Sequence, residues 1–385
     1  MSGPRDPWDL VVVGAGPAGS AAALGALAAD PDARVLLLDR ADFPRDKVCG
    51  DGIAPHVFEA LAGAGVTGVA DGWTPMRRLE LALGAASVSR PLSRPVWVIP
   101  REVFDARLVE RAVAAGAVLR REKVDAVTRT GASPEVAGER ARVVVGADGA
   151  HSVVRRSVHG ERPQRRALAL RGYVPTRPEW AGSQVIRYGE RRQPSYAWAF
   201  DRGDGLTNVG YGELLDNERD GPPTRAVMLT ELDRLLPGST DDGRQWRAHH
   251  LPLSGWTWRQ PDGPVLLAGD ASGLVNPMTG EGIYYAVATG LAAGRAAVTA
   301  RREGDATRAG AAYRRDVRRL LATHLRHTAT AARLSGVPRL VVAGIEAARR
   351  DPHAFDDLVE LGLGRGRITP RLAGGLLAGL ANRRP

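Results

Sequence analysis

Leu10-Val11-Val12-Val13-Gly14-Ala15-Gly16-Pro17-Ala18-Gly19 is the stretch that decides the fold. Four consecutive apolar residues read as a parallel strand buried on both faces. The run ends in a G-x-G-x-x-G turn, and Ser20 to Ala29 continues as a helix of small residues. A second apolar run, Val35 to Leu38, stops at Asp39, twenty residues past Gly19. A glycine turn alone is common in loops, but strand, turn, helix, strand and acid in register are the order of a dinucleotide-binding unit. Each residue has its task. Gly14 permits the tight turn, Gly16 lets the backbone approach a pyrophosphate, and Gly19 lets the helix lie close on the strand. Pro17 and Ala18 open a helix N-terminus whose free N–H groups suit phosphate charge. Asp39 can accept from a ribose hydroxyl, which speaks against an NADP phosphate there, although Arg40 adjoins it. The turn by itself does not separate FAD from NAD.

Working outward, two more apolar runs end in glycine-acid turns. Arg142 to Val145 leads into Gly146-Ala147-Asp148-Gly149, and Val265 to Leu267 into Ala268-Gly269-Asp270. Each places a carboxylate at the carboxyl end of a buried strand, where α/β sheets bind ligands. These turns, with His151-Ser152-Val153-Val154-Arg155 and Leu274-Val275-Asn276-Pro277-Met278-Thr279-Gly280-Glu281-Gly282-Ile283, resemble the para-hydroxybenzoate hydroxylase superfamily of flavoproteins.

That resemblance implies FAD bound by segments spread along the chain. Asp148 and Gly149 would support the pyrophosphate region, Gly269 and Asp270 the ribityl hydroxyls, and Arg101 would contact the cofactor. Without the resemblance, Arg101 reads as a surface arginine at a helix start. Pro277 and the glycines mark a loop before a helix from Tyr284 to Thr299. That helix N-terminus would stabilise negative charge developing at the N1 and C2 carbonyl edge of a reduced flavin. Gly280, Gly282 and Ile283 would lie against the ring. Glu281 reads as a structural carboxylate rather than a catalytic base.

Two stretches narrow the resemblance. Lys47-Val48-Cys49-Gly50-Asp51-Gly52-Ile53 is similar to the Cys-Gly motif of the geranylgeranyl reductase family. Tyr196-Ala197-Trp198-Ala199-Phe200, with Asn208-Val209-Gly210-Tyr211-Gly212 beyond it, is similar to that family's Tyr-x-Trp-x-Phe-Pro and Asn-Val-Gly pattern, except that Asp201 replaces the proline. Tyr196, Trp198, Phe200 and Tyr211 are therefore expected to bind substrate, although period-two alternation in an ordinary strand also accounts for the first three. Cys49 and Gly50 are expected beside the flavin. The thiol is read both as a proton donor and as a packing cysteine.

Composition excludes other classes. One cysteine in 385 residues cannot form an internal disulfide, which favours a reducing, cytoplasmic setting. The net charge of +10 comes almost wholly from scattered arginines, since Lys47 and Lys123 are the only lysines. No basic run with interleaved aromatics points to nucleic acid. Asp6 and Asp9 precede the apolar stretch from Leu10 to Ala29, and glycines break it, so it reads neither as a signal peptide nor as a membrane span. Leu372 to Leu380 reads as a buried helix, with weak peripheral membrane contact as the other reading. His249-His250 lacks a third ligand at metal spacing, so no metal site is expected.

The expected architecture is α/β: a Rossmann-like FAD domain (1–72, 98–162 and 262–310) interleaved with an antiparallel-sheet substrate domain (73–97 and 163–261) and followed by C-terminal helices (311–385). The expected chemistry is reduction of carbon–carbon double bonds in an isoprenoid or related apolar molecule, with transient NAD(P)H as donor. Oxygenation of an aromatic or polyketide-like intermediate is the competing reading. A non-redox FAD protein, cyclase-like or a carrier, is the third. The oligomeric state is not legible.

Overall fold

The computed structural model describes residues 6–130, 133–161, 164–215 and 221–381. The expected domain boundary at 162/163 lies outside them. In chain order the strands are β1 (Trp8–Val13), β2 (Val35–Asp39), β3 (Gly52–Ile53), β4 (Met76–Leu83), β5 (Ala86–Val98), β6 (Val118–Arg121), β7 (Val127–Thr130), β8 (Ser133–Val136), β9 (Glu139–Gly146), β10 (Arg166–Pro175), β11 (Ser183–Tyr188), β12 (Ser195–Asp201), β13 (Leu206–Leu214), β14 (Arg244–Pro252) and β15 (Val265–Leu267). The α-helices are α1 (Pro17–Ala29), α2 (Pro55–Ala62), α3 (Arg101–Ala114), α4 (Val153–His159), α5 (Arg225–Leu235), α6 (Ile283–Arg302), α7 (Ala309–Leu334), α8 (Pro338–Arg350), α9 (Pro352–Leu363) and α10 (Pro370–Ala381).

The glycine-turn unit builds the first sheet. β6, β2, β1, β9 and β15 run parallel in that spatial order, with Val11 level with both Leu36 and Val144. Alternate residues serve opposite faces. Leu10, Val12, Leu37, Val143 and Val145 pack against α1, α3 and α6, while Val11, Val13, Leu36, Leu38 and Val144 pack with Val154 of α4. The two central helices approach at backbone distance. A Cβ on Gly290 would lie 2.2 Å from the Ala18 carbonyl oxygen, and one on Gly294 2.0 Å from that of Ala22. Small residues here are a condition of the packing, and they bring the N-termini of α1 and α6 to the same end of the sheet.

The second sheet has the order β14-β10-β13-β12-β11-β4-β5-β3. It corrects one detail of the expected antiparallel arrangement: β4 and β11 pair in parallel, Leu81 level with Ile186. One face carries Leu170, Ala197, Ala199, Val209 and Tyr211 against Met228 and Leu232 of α5. At the other end, Leu79, Leu81 and Val88 pack on Ile345 of α8 and on Phe355 and Val359 of α9. The C-terminal helices therefore cap the sheet. The C-terminal stretch does form a helix, α10, but it is buried on one face only. Among the described residues no helix is long and apolar enough to cross a membrane.

Candidate active site

A cavity of about 900 Å³ runs from the glycine turn to the second sheet. That is near the upper end of the roughly 300–1,000 Å³ usual for ligand pockets. Its lining includes Gly14, Gly16, Pro17, Ala18, Asp39, Arg40, Cys49, Gly50, Arg101, Asp148, Gly149, Asp270, Pro277, Gly280, Gly282 and Ile283. The three separated turns thus meet around one space. Gly19 and Gly269 stand behind the wall. A Cβ on Gly19 would lie 1.7 Å from the Gly14 carbonyl oxygen, so it serves helix-on-strand packing. Gly269 has φ 58° and donates its N–H to Thr289 Oγ1 at 3.0 Å.

The turn has a telling asymmetry. Gly14, at φ 97°, has a conformation suited to glycine, and its Cβ would strike the Ala147 carbonyl at 2.4 Å. Gly16 has φ −67° and ψ −171°, which any residue adopts, and its Cβ would meet only side-chain ends, the nearest at 3.3 Å on Arg45. The fold itself does not require glycine at 16; a close-lying ligand does. Asp39 is held by the backbone N–H groups of Ala15 (2.7 Å) and Ala41 (2.9 Å), at the edge of the same cradle. Asp148 Oδ2 accepts from the N–H groups of Val153 and Val154, fixing α4. Its buried Oδ1 has no partner in the protein, and a donor on a bound ligand would satisfy it. The residues present fit a dinucleotide.

At the far end of the cradle, Asn276 to Gly282 deliver the N-terminus of α6. Glu281 Oε1 accepts from the Tyr284 N–H at 2.8 Å, so the helix end expected to be free carries a carboxylate cap. Burial raises that carboxyl to about 7, against the pull of the Tyr284 and Ile283 N–H groups and Arg101. Gly280 has φ 72°, whereas Gly282 would accept a Cβ at ordinary contact distances.

Arg101 corrects the surface reading: it is 4% exposed. It forms a two-point pair with Asp105 (2.6 and 2.8 Å), which also receives Arg45 at 3.0 Å. Asp105 keeps the guanidinium charged despite burial, and the same guanidinium contacts the Cys49 thiol. Burial pushes that thiol up, Arg101 pulling the other way, so it holds its proton.

Tyr196, Trp198 and Phe200 line the cavity, while Ala197 and Ala199 between them face the α5 core. Alternation and pocket lining are one arrangement here. Tyr211 departs from expectation. It is not a lining residue; its ring is buried in the α5 cluster and its hydroxyl donates to Glu213 at 2.9 Å. The period-two register that turns Gly210 toward Trp198 turns Tyr211 away. Beyond Trp198 the wall becomes an apolar sleeve of Leu79, Leu81, Leu92, Val96 and Ile186, roofed by Leu358, Val359 and Leu363 of α9.

Sequence reasoning missed the network that holds the Cys49 loop. Asp51, fully buried at φ 58°, accepts from the Tyr173 hydroxyl (2.5 Å) and Asn208 Nδ2 (2.8 Å), and Asn208 also donates to the Cys49 carbonyl at 2.9 Å. Arg171 stacks on Tyr173 at 4.4 Å and donates to Asp46, while Lys47 reaches Asp270 at 3.3 Å. Asn208 was visible as part of a motif, but its partners on the Cys49 loop lie more than 150 residues away, and Tyr173 and Arg171 stand in a strand with no local signal. His151 is brought within 6.0 Å of His249, yet among the described residues no His, Cys, Asp and Glu group is placed to hold a metal ion.

The FAD binding domain family matches residues 8–179. The menaquinone reductase of Mycolicibacterium smegmatis is 32% identical over 308 residues, 73% of this chain and 74% of its own. Digeranylgeranylglycerophospholipid reductase 1 of Methanopyrus kandleri is 33% identical over 322 residues, 77% of this chain and 82% of its own. In fold, the chain is similar to a geranylgeranyl bacteriochlorophyll reductase-like protein of Thermoplasma acidophilum, with a TM-score of 0.72 at 20% identity, covering 99% of this chain and 97% of that one.

Proposed function

The chain belongs to the geranylgeranyl reductase family of FAD-dependent oxidoreductases, and from that premise we propose that it reduces carbon–carbon double bonds of an isoprenoid or related apolar molecule, with NAD(P)H as donor. The observation that carries this reading is the continuity of the cavity: a glycine-lined, polar cradle at one end and an apolar sleeve at the other. The reductase names of the relatives support it.

In this reading FAD occupies the cradle. Gly14, Gly16, Pro17, Ala18 and Gly19 serve its pyrophosphate, Asp39 and Arg40 its adenosine, Asp148, Gly149, Gly269 and Asp270 the link to the flavin. Pro277, Gly280, Gly282 and Ile283 receive the ring. The corresponding FAD module takes 1–72, 98–162 and 262–310, with substrate binding assigned to 73–97 and 163–261 and the helical cap to 311–385. Bound there, the flavin supplies hydride to the substrate double bond. The protein's own residues do the rest. Arg101 places a fixed positive charge beside Cys49 and Gly50. The protonated Cys49 thiol is positioned to give its proton. Tyr196, Trp198 and Phe200 hold the reacting segment, and the leucine-rich sleeve excludes water. A cytoplasmic location with peripheral membrane contact belongs to the same reading, because such substrates reside in lipid.

The test is anaerobic incubation with deuterium-labelled NADPH and isoprenoid candidates. Deuterium at a newly saturated bond is the expected result. Product formation that requires oxygen would point to a monooxygenase. A flavin that NADPH does not bleach, with or without ligand, would point to a non-redox protein.

A further inference from the structure

Beyond Arg371 in its first turn, helix α10 is apolar on both faces. Leu372 and Gly379 are buried, and Gly375 and Gly379 lie against Ala347 and Ala343 of α8. The opposite face shows Gly374, Leu377, Ala378 and Ala381 to solvent, with Leu377 69% exposed. A helix at a water surface carries polar residues along its outer face; beyond Arg371 in its first turn, this one does not. The register with α8 is antiparallel, so α10 runs toward the corner between α7 and α8. At that corner Val337 is 46% exposed, and Arg333 lies over the ring of Trp256, itself 51% exposed, at 5.5 Å.

The charge around this face is mostly positive. From Leu361 to Ala381 the sequence holds three arginines and no carboxylate, and the corner adds Arg333 and Arg339. Arg365 and Arg371 are partly met by Glu59 and Asp351, at 3.5 and 3.6 Å. An apolar helix face flanked by arginine, with a tryptophan beside it, matches the layering of a bilayer surface: acyl chains below, headgroups at the aromatic level, anionic charge outside. A second copy of the chain fits less well, because a two-fold contact would bring the same arginines face to face.

We propose that the outer face of α10, with Val337 and Trp256, docks the protein on anionic lipid without spanning it. The position has a consequence for the cavity. Leu372 shares an apolar cluster with Leu361 and with Met278, which lines the cavity. The docking helix therefore packs by its inner face on the wall of the site, and that an apolar substrate reaches the site from this side is a clause that rests on the reading proposed above.

The test is co-sedimentation of the holoprotein with phosphatidylcholine vesicles, with and without phosphatidylglycerol. Binding to the anionic vesicles, weakened by salt, is expected. Leu377→Asp should lower that affinity by roughly tenfold or more, since it removes a leucine that the lipid would bury and adds a repelled charge. Val337→Asp should act in the same direction. Both variants should keep their flavin and their melting temperature, because the side chains face outward. Absence of wild-type binding, or equal binding by both variants, would overturn the proposal. So would a vesicle-independent dimer that Leu377→Asp dissolves, since the face would then be a self-contact. No turnover is measured, so this result and the identity of the reaction stand or fall separately.

Discussion

Burying a carboxylate is costly unless its charge is met, and Asp51 is met only in part. Oδ2 has two donors and Oδ1 has none. Burial raises its pKa from 3.8 to about 6, against Arg171, Tyr173 and Asn208. A raised carboxyl pKa means that Asp51's contribution to stability is fully present below the unfolded value near 4 and is lost as pH rises through 6. At 1.36 kcal/mol per pKa unit the loss is on the order of 3 kcal/mol. Asp51→Asn keeps the hydrogen-bonding shape and tolerates the left-handed backbone. Denaturant unfolding across pH 4–7 should therefore show wild type losing ground to Asp51→Asn by about that amount, and a pH-independent gap would refute the assignment. Cys49, on the loop that this network holds, gives a second prediction. Cys49→Ala should keep its flavin and lose turnover by roughly a hundred-fold or more, the scale of general acid catalysis. Unchanged turnover would leave the thiol a packing role. Cys49 stood out in the sequence through its glycine neighbours. Asp51 did not, because its significance lies in a tyrosine and an asparagine contributed by other strands.

At the scale of elements, the decisive object is the α1–α6 pair. The sequence made α1 legible through its turn and α6 through its alanine run, but not their contact, since nothing local says that Gly290 and Gly294 face Ala18 and Ala22. The contact gives the glycines two separable jobs. Gly294→Val would drive a side chain into the Ala22 carbonyl. It should destabilise the protein by the roughly 1–3 kcal/mol of an overpacked core and release flavin as a consequence. Gly16→Val meets no backbone atom and keeps an allowed φ. It should melt like wild-type apoprotein and yet retain no flavin. Flavin absorbance per chain beside apoprotein melting temperature separates the two. A yellow Gly16→Val protein would break the assignment of the cradle. The same logic explains the misplacement of Tyr211: the strand was legible, but the face on which each of its residues falls was set by pairing with β12 and by α5.

At the scale of the whole molecule, the three cofactor motifs announced an interleaved chain, whereas the C-terminal cap was read as helices without a task. Its task follows from α9, which roofs the apolar sleeve with Leu358, Val359 and Leu363, accepts hydrogen bonds at the Leu361 and Gly362 carbonyls from Asn276 and Thr279, and carries a further, charged tie to the body of the protein. Glu360 lies 2.9 Å from His56 Nε2 and also accepts from Arg94, which pairs with Glu59 of α2. Burial pushes Glu360 up, but the hydrogen bonds from His56 and Arg94 outweigh it and hold the carboxyl at about 2. The tie is thus ionised near neutral pH, and it fixes one end of the roof while the other end packs on α8. In the proposed reading such a roof discriminates by length: a short apolar substrate would fill the space near Tyr196 and Trp198, and a long one would also engage α9. Glu360→Gln weakens the tie without removing a side chain. Its cost in substrate binding should be near 1–2 kcal/mol, roughly five- to thirty-fold in KM, for long isoprenoid chains, with short analogues and kcat little changed. Measuring KM against chain length in wild type and Glu360→Gln decides the matter. A uniform rise in KM at all lengths would mean that the tie supports the fold in general, and no rise at any length would mean that the apolar packing of α9 on Leu79, Leu81 and Val88 and its hydrogen bonds from Asn276 and Thr279 hold it without the tie.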